Sequence, residues 1–573
     1  MFVRIKNSGK YEYLQVVQSQ RIGNSVRQQV IATLGRLDVL QASGQLDALL
    51  ASCARFARQS VVLTAHRRGQ LSTDKKIRLG PPLVFQRLWE ELGFPTLIRR
   101  LLEGRKFGFD VERAIFVTVL HRLFAPGSDR AAEVWCKKYA IEGAEGLQLQ
   151  HFYRAMAWLG EALPGDQQGG ATPFAPRCVK DRLEETLFAQ TRDLFTSLEL
   201  VFFDTTSIYF EGEGGETLGQ YGHTKDHRND CKQMVVGVVL DGRGRPICCE
   251  LWPGNTTDVK TLVPIVDRLK QRFRIASICI VADRGMISRE TIEKLQEKVR
   301  DVRYLLGARL RSVKEIYNDV LSRPGRYHEV FGPKQTSKDP SPLKVKEVWV
   351  DDRRYVICRN EDQAKKDAAD REAIVAALKE QLKQGAGSLV GNKGYRKYLR
   401  TRGARFEIDE AKVASEARFD GKWVLQTDTD LSATDCALRY KDLWMVEQSF
   451  RNLKSVLETR PIYHKCDETI RGHVFCSFLA LILLKEFLDR IAQRGWKVEW
   501  ERVRADLDAL DEMRVKTSGR SFVIRSDLQG DAGKAIQAVG VALGSVVRFL
   551  DDAPSPDTSP PMEGQCSANA PSC

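Results

Sequence analysis

Apolar and polar positions along the chain change period several times, and each change marks an element or a boundary. Near the N-terminus, "KYEYLQVVQSQ" and "SVRQQVIATLG" alternate with a period of two around "RIGN", which predicts a hairpin turning at Gly23-Asn24. A short helix, "LDALLASCARFARQ", follows. From about residue 78 to 163 the period becomes helical in "PPLVFQRLWEELGF", "DVERAIFVTVLHRLF" and "HFYRAMAWLGEAL". Residues 164–177, "PGDQQGGATPFAPR", keep neither period and read as a linker.

After a helix at 179–197 the pattern turns to strands at 200–210, 232–240 and 245–252, with "DGRG" as a tight turn between the last two. A helix at 257–273 and a strand at 276–282 follow. Three strands, a helix and a fourth strand match the opening of the ribonuclease-H-like fold, a mixed sheet flanked by helices. The fold class expected is therefore α/β, with a mostly helical region before the core. Residues 301–435 interrupt it with "KVKEVWVDDRRYVICRN", a charged helix from "DQAKKDAADREAIVAALKEQLKQ" to "GAG", and strands at 404–408 and 420–426, and read as a β-rich insertion. A helical segment begins at Tyr440, and "VFCSFLALILL" (474–484), too short to span a bilayer, reads as a buried helix.

The division expected is as follows: hairpin and helix at 1–60, a basic helical region at 78–163, and a linker at 164–178. The first part of the core is 179–300, the insertion 301–435 and the last part of the core 436–500. A C-terminal region spans 501–551, and a Pro-, Ser- and Asp-rich tail, expected to be disordered, spans 552–573.

One residue breaks the strand pattern. In "ELVFFDTTSIYF" (199–210), Asp204 follows the apolar run Leu200–Phe203. A carboxylate beside buried strand surface needs compensation. A backbone amide, an arginine or a divalent cation would each supply it. The fourth strand ends in "ADRGM", with Asp283 at its tip. Neighbouring first and fourth strands would bring the two aspartates together. In "YKDLWMVEQSFRNLK" (440–454), Leu443, Val446, Phe450 and Leu453 make an apolar face, with Tyr440, Glu447, Arg451 and Lys454 on the next stripe. Taken alone, Glu447 suits an ordinary i,i+4 pair with Arg451. Over the ends of two aspartate-bearing strands it completes a three-carboxylate site suited to two Mg2+ ions, with Mn2+ as a substitute.

Charge and cysteine content narrow the partners. The chain of 573 residues carries a formal charge of +14 at pH 7, which points to a polyanion such as nucleic acid. Basic residues recur through the helical region (Arg99, Arg100, Arg105, Lys106, Arg122, Arg130, Lys137, Lys138). The 13 cysteines form no C-x-x-C pair, so neither a zinc ribbon nor a disulfide framework is indicated and a reducing, cytoplasmic compartment is expected. The N-terminus has no signal-peptide core, and no membrane partner is expected.

The ordered motifs resemble the DDE transposases of bacterial insertion sequences, in the group marked by Y-x2-R-x3-E-x6-K. Tyr440, Glu447 and Lys454 fall at its spacing, whereas Leu443 stands where the group has arginine, a phosphate contact left to Arg451 or Lys441. "GHTKDHRND", "PGNTTD", "ADRGM" and "RPIYH" are also close to the family's wording, and a β-rich insertion between Asp283 and Glu447 is usual in the group.

The resemblance implies that Asp204, Asp283 and Glu447 are the catalytic, metal-binding triad. It implies phosphate contacts by Tyr440, Lys454 and Arg451, and DNA contacts by His223, Lys225, His227, Arg228 and Asn255. The partners implied are double-stranded DNA, as terminal inverted repeats and as target, and a second copy of the chain in the DNA complex, at work on the bacterial nucleoid. The His223-x3-His227 pair lacks nearby cysteines and makes a poor zinc site, and the loop also suits a turn-stabilising role. Trp252 suits burial in the sheet better than stacking on a base. Two rival functions remain at this point: a nuclease of the same fold that cuts without joining, and a domesticated DNA-binding protein.

Overall fold

The computed structural model describes the chain to residue 549, except residues 23–24, 55–71, 170, 172–174, 192–198, 274, 276, 284–285, 287–288, 299–301, 312, 334–335, 337–338, 385–395, 403–404 and 518–519. The expected turn at Gly23-Asn24 and the tail 552–573 lie outside the described residues, as do the ends of the helices expected to close at Gln59 and at "GAG". The chain forms two units, Met1–Pro81 with Val498–Cys573, and Pro82–Lys497.

In the first unit, Tyr11–Ile22 and Ser25–Arg36 pair as the alternating pattern predicts, and Phe2–Ser8 adds a third antiparallel strand. Short helices Leu37–Ala42 and Gln45–Ala54 follow. A second sheet joins distant parts of the sequence. Ser72–Arg78 pairs with Asp511–Thr517, which continues to Arg520–Arg525 and Val547–Phe549. Nothing in the local pattern of 72–78 foretells a partner in the C-terminal region.

The second unit is built on a nine-stranded sheet. The core strands in chain order are Glu199–Tyr209, Gln233–Asp241, Pro246–Pro253, Ile278–Ala282 and Val302–Gly307. The first is central, with the second antiparallel on one side and the fourth parallel on the other. The fifth continues parallel beyond the fourth. This is the ribonuclease-H-like arrangement. The strands are buried on both faces, which is why they read as continuous apolar runs rather than alternating ones. The sheet does not stop at the fifth strand. Lys422–Thr427, Arg353–Arg359, Leu343–Val350 and His328–Phe331 extend it in that order, all antiparallel. Helix Glu361–Lys383 and the hairpin Leu399–Arg402 with Arg405–Ile408 complete this part.

Helix Leu262–Phe273 packs on one face of the core sheet, its Ile265, Val266 and Leu269 meeting Val201, Phe203 and Ile280. A buried ionic network braces this face. Arg272 reaches Asp181, Glu184, Glu185 and Glu250, while Arg268 reaches Glu250 and Asp181. Each charge has an opposite partner, and removing one of them would strand a buried charge. On the helical side, Asp467–Gln493 packs against Val111–Phe124 and Leu149–Gly160. The apolar run 474–484 lies inside this 27-residue helix and is buried almost throughout. Of the eight basic residues singled out in 78–163, Arg122 is buried, donating to Ser477 at 2.8 Å, and the other seven are exposed. Among the described residues no helix is long and apolar enough to cross a membrane.

Candidate active site

Register places the two aspartates side by side. Phe203 on the first core strand pairs with Ala282 on the fourth, so Asp204 and Asp283 are the next residues on parallel neighbours. Asp283 leaves the strand end exposed. The third carboxylate comes from Trp444–Arg451, where Val446 and Phe450 are buried and Glu447 is exposed. The segment expected to start one helix at Tyr440 is instead two helices, Ala433–Lys441 and Trp444–Arg451, followed by a wide turn over Asn452–Val456. At the break, Leu443, Met445 and Val446 donate to carbonyls three residues back, a tighter winding that drops Leu443 inward to 9% exposure.

Asp204, Asp283 and Glu447 line one cavity of about 310 Å3, together with Trp423, Tyr440, Lys441, Leu443 and Trp444. Asp283, Tyr440 and Glu447 also border a larger cavity of about 770 Å3 that runs toward Arg311, Arg371 and Lys397. Tyr440 donates its hydroxyl to Asp283 Oδ1 at 2.9 Å. Burial pushes the Asp204 carboxyl up to about 6, while Lys225 and the Thr205 amide pull it down and the charges of Asp283 and Asp258 push it further up. The Thr205 amide donates to Asp204 Oδ1 at 2.7 Å, and Lys225 Nζ stands 3.9 Å away. Two of the compensations open to Asp204 from sequence, a backbone amide and a nearby cation, are therefore present in part, and neither brings it to an ordinary carboxylate range.

Sequence reasoning did not single out Asp258 as part of this group. It accepts from Thr205 Oγ1 at 2.7 Å and lies 3.4 Å from Lys225 Nζ, instead of acting only at the start of the following helix. Lys225 also donates to the Thr205 carbonyl at 2.6 Å, which fixes "GHTKDHRND" beside the first strand. This loop and "PGNTTD" touch backbone to backbone, because a side chain on Gly222 would collide with the Gly254 carbonyl. His223, His227 and Asn255 are exposed on the same two loops. Arg228 is held by Asp230 at 2.8 Å.

Lys454 does not face the cavity. Its Nζ lies 2.8 Å from Asp226 Oδ1, and burial lowers its basicity. Arg460 reaches the same carboxylate at 2.5 Å. Lys441 lines the cavity, whereas Arg451 is exposed outside its lining. Trp252 is buried, edge-on to Phe203 at 6.4 Å.

A scan of family models matches residues 196–483 to "Transposase DDE domain" and residues 2–66 to "IS1634 family transposase, N-terminal domain". The chain belongs to the DDE transposase family. Its function is that of a DNA transposase, and it is a DDE enzyme. No curated protein matches it. Among solved structures, it is similar to the piggyBac transposase synaptic complex with hairpin DNA at 11% identity, covering 75% of this chain and 78% of that one with a TM-score of 0.31. It is also similar to the Mos1 mariner paired end complex with Mn at 12% identity, covering 45% of this chain and 76% of that one with a TM-score of 0.13.

The carboxylate cavity suits the divalent cation on which the chemistry of a DDE transposase relies. Its donors are hard oxygens, and one of them is half-buried without a full counter-charge. A second, tighter group is formed by Asp129, His464 and His473, whose ligand atoms all lie within 4.8 Å of one another. The tighter group is a poor cation site, because Arg122 already donates to His473 Nδ1 at 3.0 Å and stands 3.9 Å from Asp129. His464 shares the same contacts, at 3.0 Å from His473 and 3.4 Å from Asp129, so these side chains already use one another as partners.

Proposed function

We propose that this transposase binds the inverted repeats of its own element as a homodimer, cuts at their ends and joins them to target DNA, using Asp204, Asp283 and Glu447 as its metal-binding catalytic triad. The observation that supports this best is the single cavity lined by all three carboxylates. When bound there, two Mg2+ ions, or Mn2+ in their place, would activate a water or a 3′-hydroxyl and stabilise the leaving oxygen. The chain's own residues supply position and charge. Lys225 stands beside Asp204 and Lys441 in the cavity wall, which supports a role for both in meeting the phosphate of the scissile strand. Lys441 thus takes the contact that Leu443 cannot make.

Tyr440 contributes through the hydrogen bond to Asp283 as well as any contact with phosphate. Lys454 holds the "GHTKDHRND" loop by way of Asp226; His223, His227 and Arg228 on that loop, with Asn255 on "PGNTTD", would face the DNA backbone. Arg451, exposed beyond the cavity, is placed for more distant phosphates. End recognition falls to the N-terminal unit and to the exposed basic residues of 78–163. The excess of 14 positive charges gives affinity for DNA, and the enzyme acts in the bacterial cytoplasm at the nucleoid.

The test uses a duplex carrying the repeat that brackets the protein's own gene. Asp204→Asn, Asp283→Asn and Glu447→Gln should each abolish Mg2+-dependent cleavage while end binding changes less than about threefold, since affinity comes mainly from basic residues. A variant that still cuts removes that residue from the triad. Pre-cut ends offered with target DNA separate joining from hydrolysis, and hydrolysis alone would make the protein a nuclease.

A further inference from the structure

We infer that Gly307 is a positioning residue of the cleavage site, its missing side chain leaving the slot from which Tyr440 holds the Asp283 carboxylate. The inference rests on the reading of Asp283 as a metal ligand. Gly307 closes the fifth core strand, is buried, and pairs with Leu425 across the sheet. Its φ lies outside the left-handed region, so the backbone does not call for glycine there. Space does. A Cβ built on Gly307 would come within 2.8 Å of Tyr440 Cζ and 3.1 Å of Cε2, and closer still to the hydroxyl oxygen.

The tyrosine that fills this slot is the one that donates to Asp283 Oδ1. Asp283 sits exposed at a strand tip, where a carboxylate turns freely unless something holds it. A methyl group at 307 forces either the ring or the strand end to move, and either movement shifts the hydroxyl from its place beside Asp283. Gly307, Asp283, Tyr440 and Glu447 all border the larger cavity, so the slot opens on the reacting region rather than on a remote part of the sheet. Outer contacts of this kind set the orientation of a metal-binding carboxylate, and their loss typically weakens metal affinity about 10- to 100-fold.

The experiment measures Mn2+ binding to the full-length protein by electron paramagnetic resonance, with end binding and thermal melting as controls. Gly307→Ala and Tyr440→Phe should each weaken Mn2+ binding about tenfold, with end binding unchanged in Gly307→Ala. In a Tyr440→Ala background, where no ring occupies the slot, adding Gly307→Ala should change Mn2+ binding by less than about twofold, because residues acting through one contact do not add. Wild-type Mn2+ affinity in Gly307→Ala would overturn the inference. So would an undiminished loss in the Tyr440→Ala background, since Gly307 would then act through the backbone. Should Gly307→Ala not fold, Tyr440→Phe decides, and unchanged Mn2+ affinity there also overturns the inference. Asp283→Asn runs alongside: if it binds Mn2+ normally and still cleaves, the reading of the site itself fails, whatever Gly307→Ala does.

Discussion

Replacing Asp204 by asparagine should stabilise the metal-free protein while abolishing cleavage. The Asp204 carboxyl is pushed from its ordinary 3.8 up to about 6, with burial as the largest cause. The folded state thus holds the proton more tightly than the unfolded state. Between pH 3.8 and about 6 the folded protein binds more protons, so its stability falls as pH rises through that window and the penalty is complete above it. At 1.36 kcal/mol per tenfold, the full gap is worth roughly 3 kcal/mol. The side chain is 24% exposed, and solvent screening reduces this to about 1–2 kcal/mol. Asparagine keeps the size and the acceptor for the Thr205 amide without the charge.

In EDTA at pH 8, Asp204→Asn should therefore melt about 1–4 °C above the wild type. At pH 5 the advantage should fall to about half, because the wild-type carboxyl is then mostly protonated when folded. Mg2+ should stabilise the wild type and close the gap, with little effect on the variant. Differential scanning fluorimetry across pH, with and without Mg2+, reads all three. An asparagine variant no more stable than the wild type in EDTA at pH 8, or stabilisation of both proteins alike by Mg2+, would refute the argument that Asp204 is a strained, cation-seeking carboxylate.

Lys454→Ala should reduce single-turnover cleavage about 10- to 100-fold, through misplacement of the loop that Asp226 anchors, with end binding nearly intact; normal cleavage would show that Arg460 suffices to hold Asp226. Leu443→Ala should cost about 2–3 kcal/mol in urea unfolding, because Leu443 packs at 9% exposure beside the cavity. Leu443→Arg should fold with reduced stability and no gain in cleavage, and a fully stable, faster Leu443→Arg enzyme would show that the position remains a phosphate contact.

The local alphabet carried much of the site. Phe202 and Phe203 running into Asp204, and Ile278–Ala282 running into Asp283, announce two buried strands, one interrupted by an acid and the other followed by one. Periodicity at Leu443, Val446, Phe450 and Leu453 announces a helix face, and all four are buried. The seven-residue spacing of Tyr440 and Glu447 was also legible, and both reach the same cavity although a break separates their helices. Lys454 shows where spacing runs out. Its period suited the carboxylate stripe, but the turn over Asn452–Val456 and the acid at Asp226 draw it elsewhere.

The apolar faces, most strand and helix positions, and the two acids that interrupt or follow apolar strand runs were legible from the chain alone, because they follow from periodicity and from the cost of burying charge. Pairing was decided only in three dimensions. Phe203 opposite Ala282 sets the two aspartates together, Val302–Gly307 beside Ile278–Ala282 brings Gly307 beneath Tyr440, and Ser72–Arg78 finds Asp511–Thr517 at the other end of the chain. A strand's own pattern specifies the face it hides, whereas its neighbour is chosen by the shape and hydrogen bonding of segments far away in sequence. For that reason the carboxylates could be read from the chain, while Asp258, Asp226 and Gly307, whose roles lie in what they touch, could not.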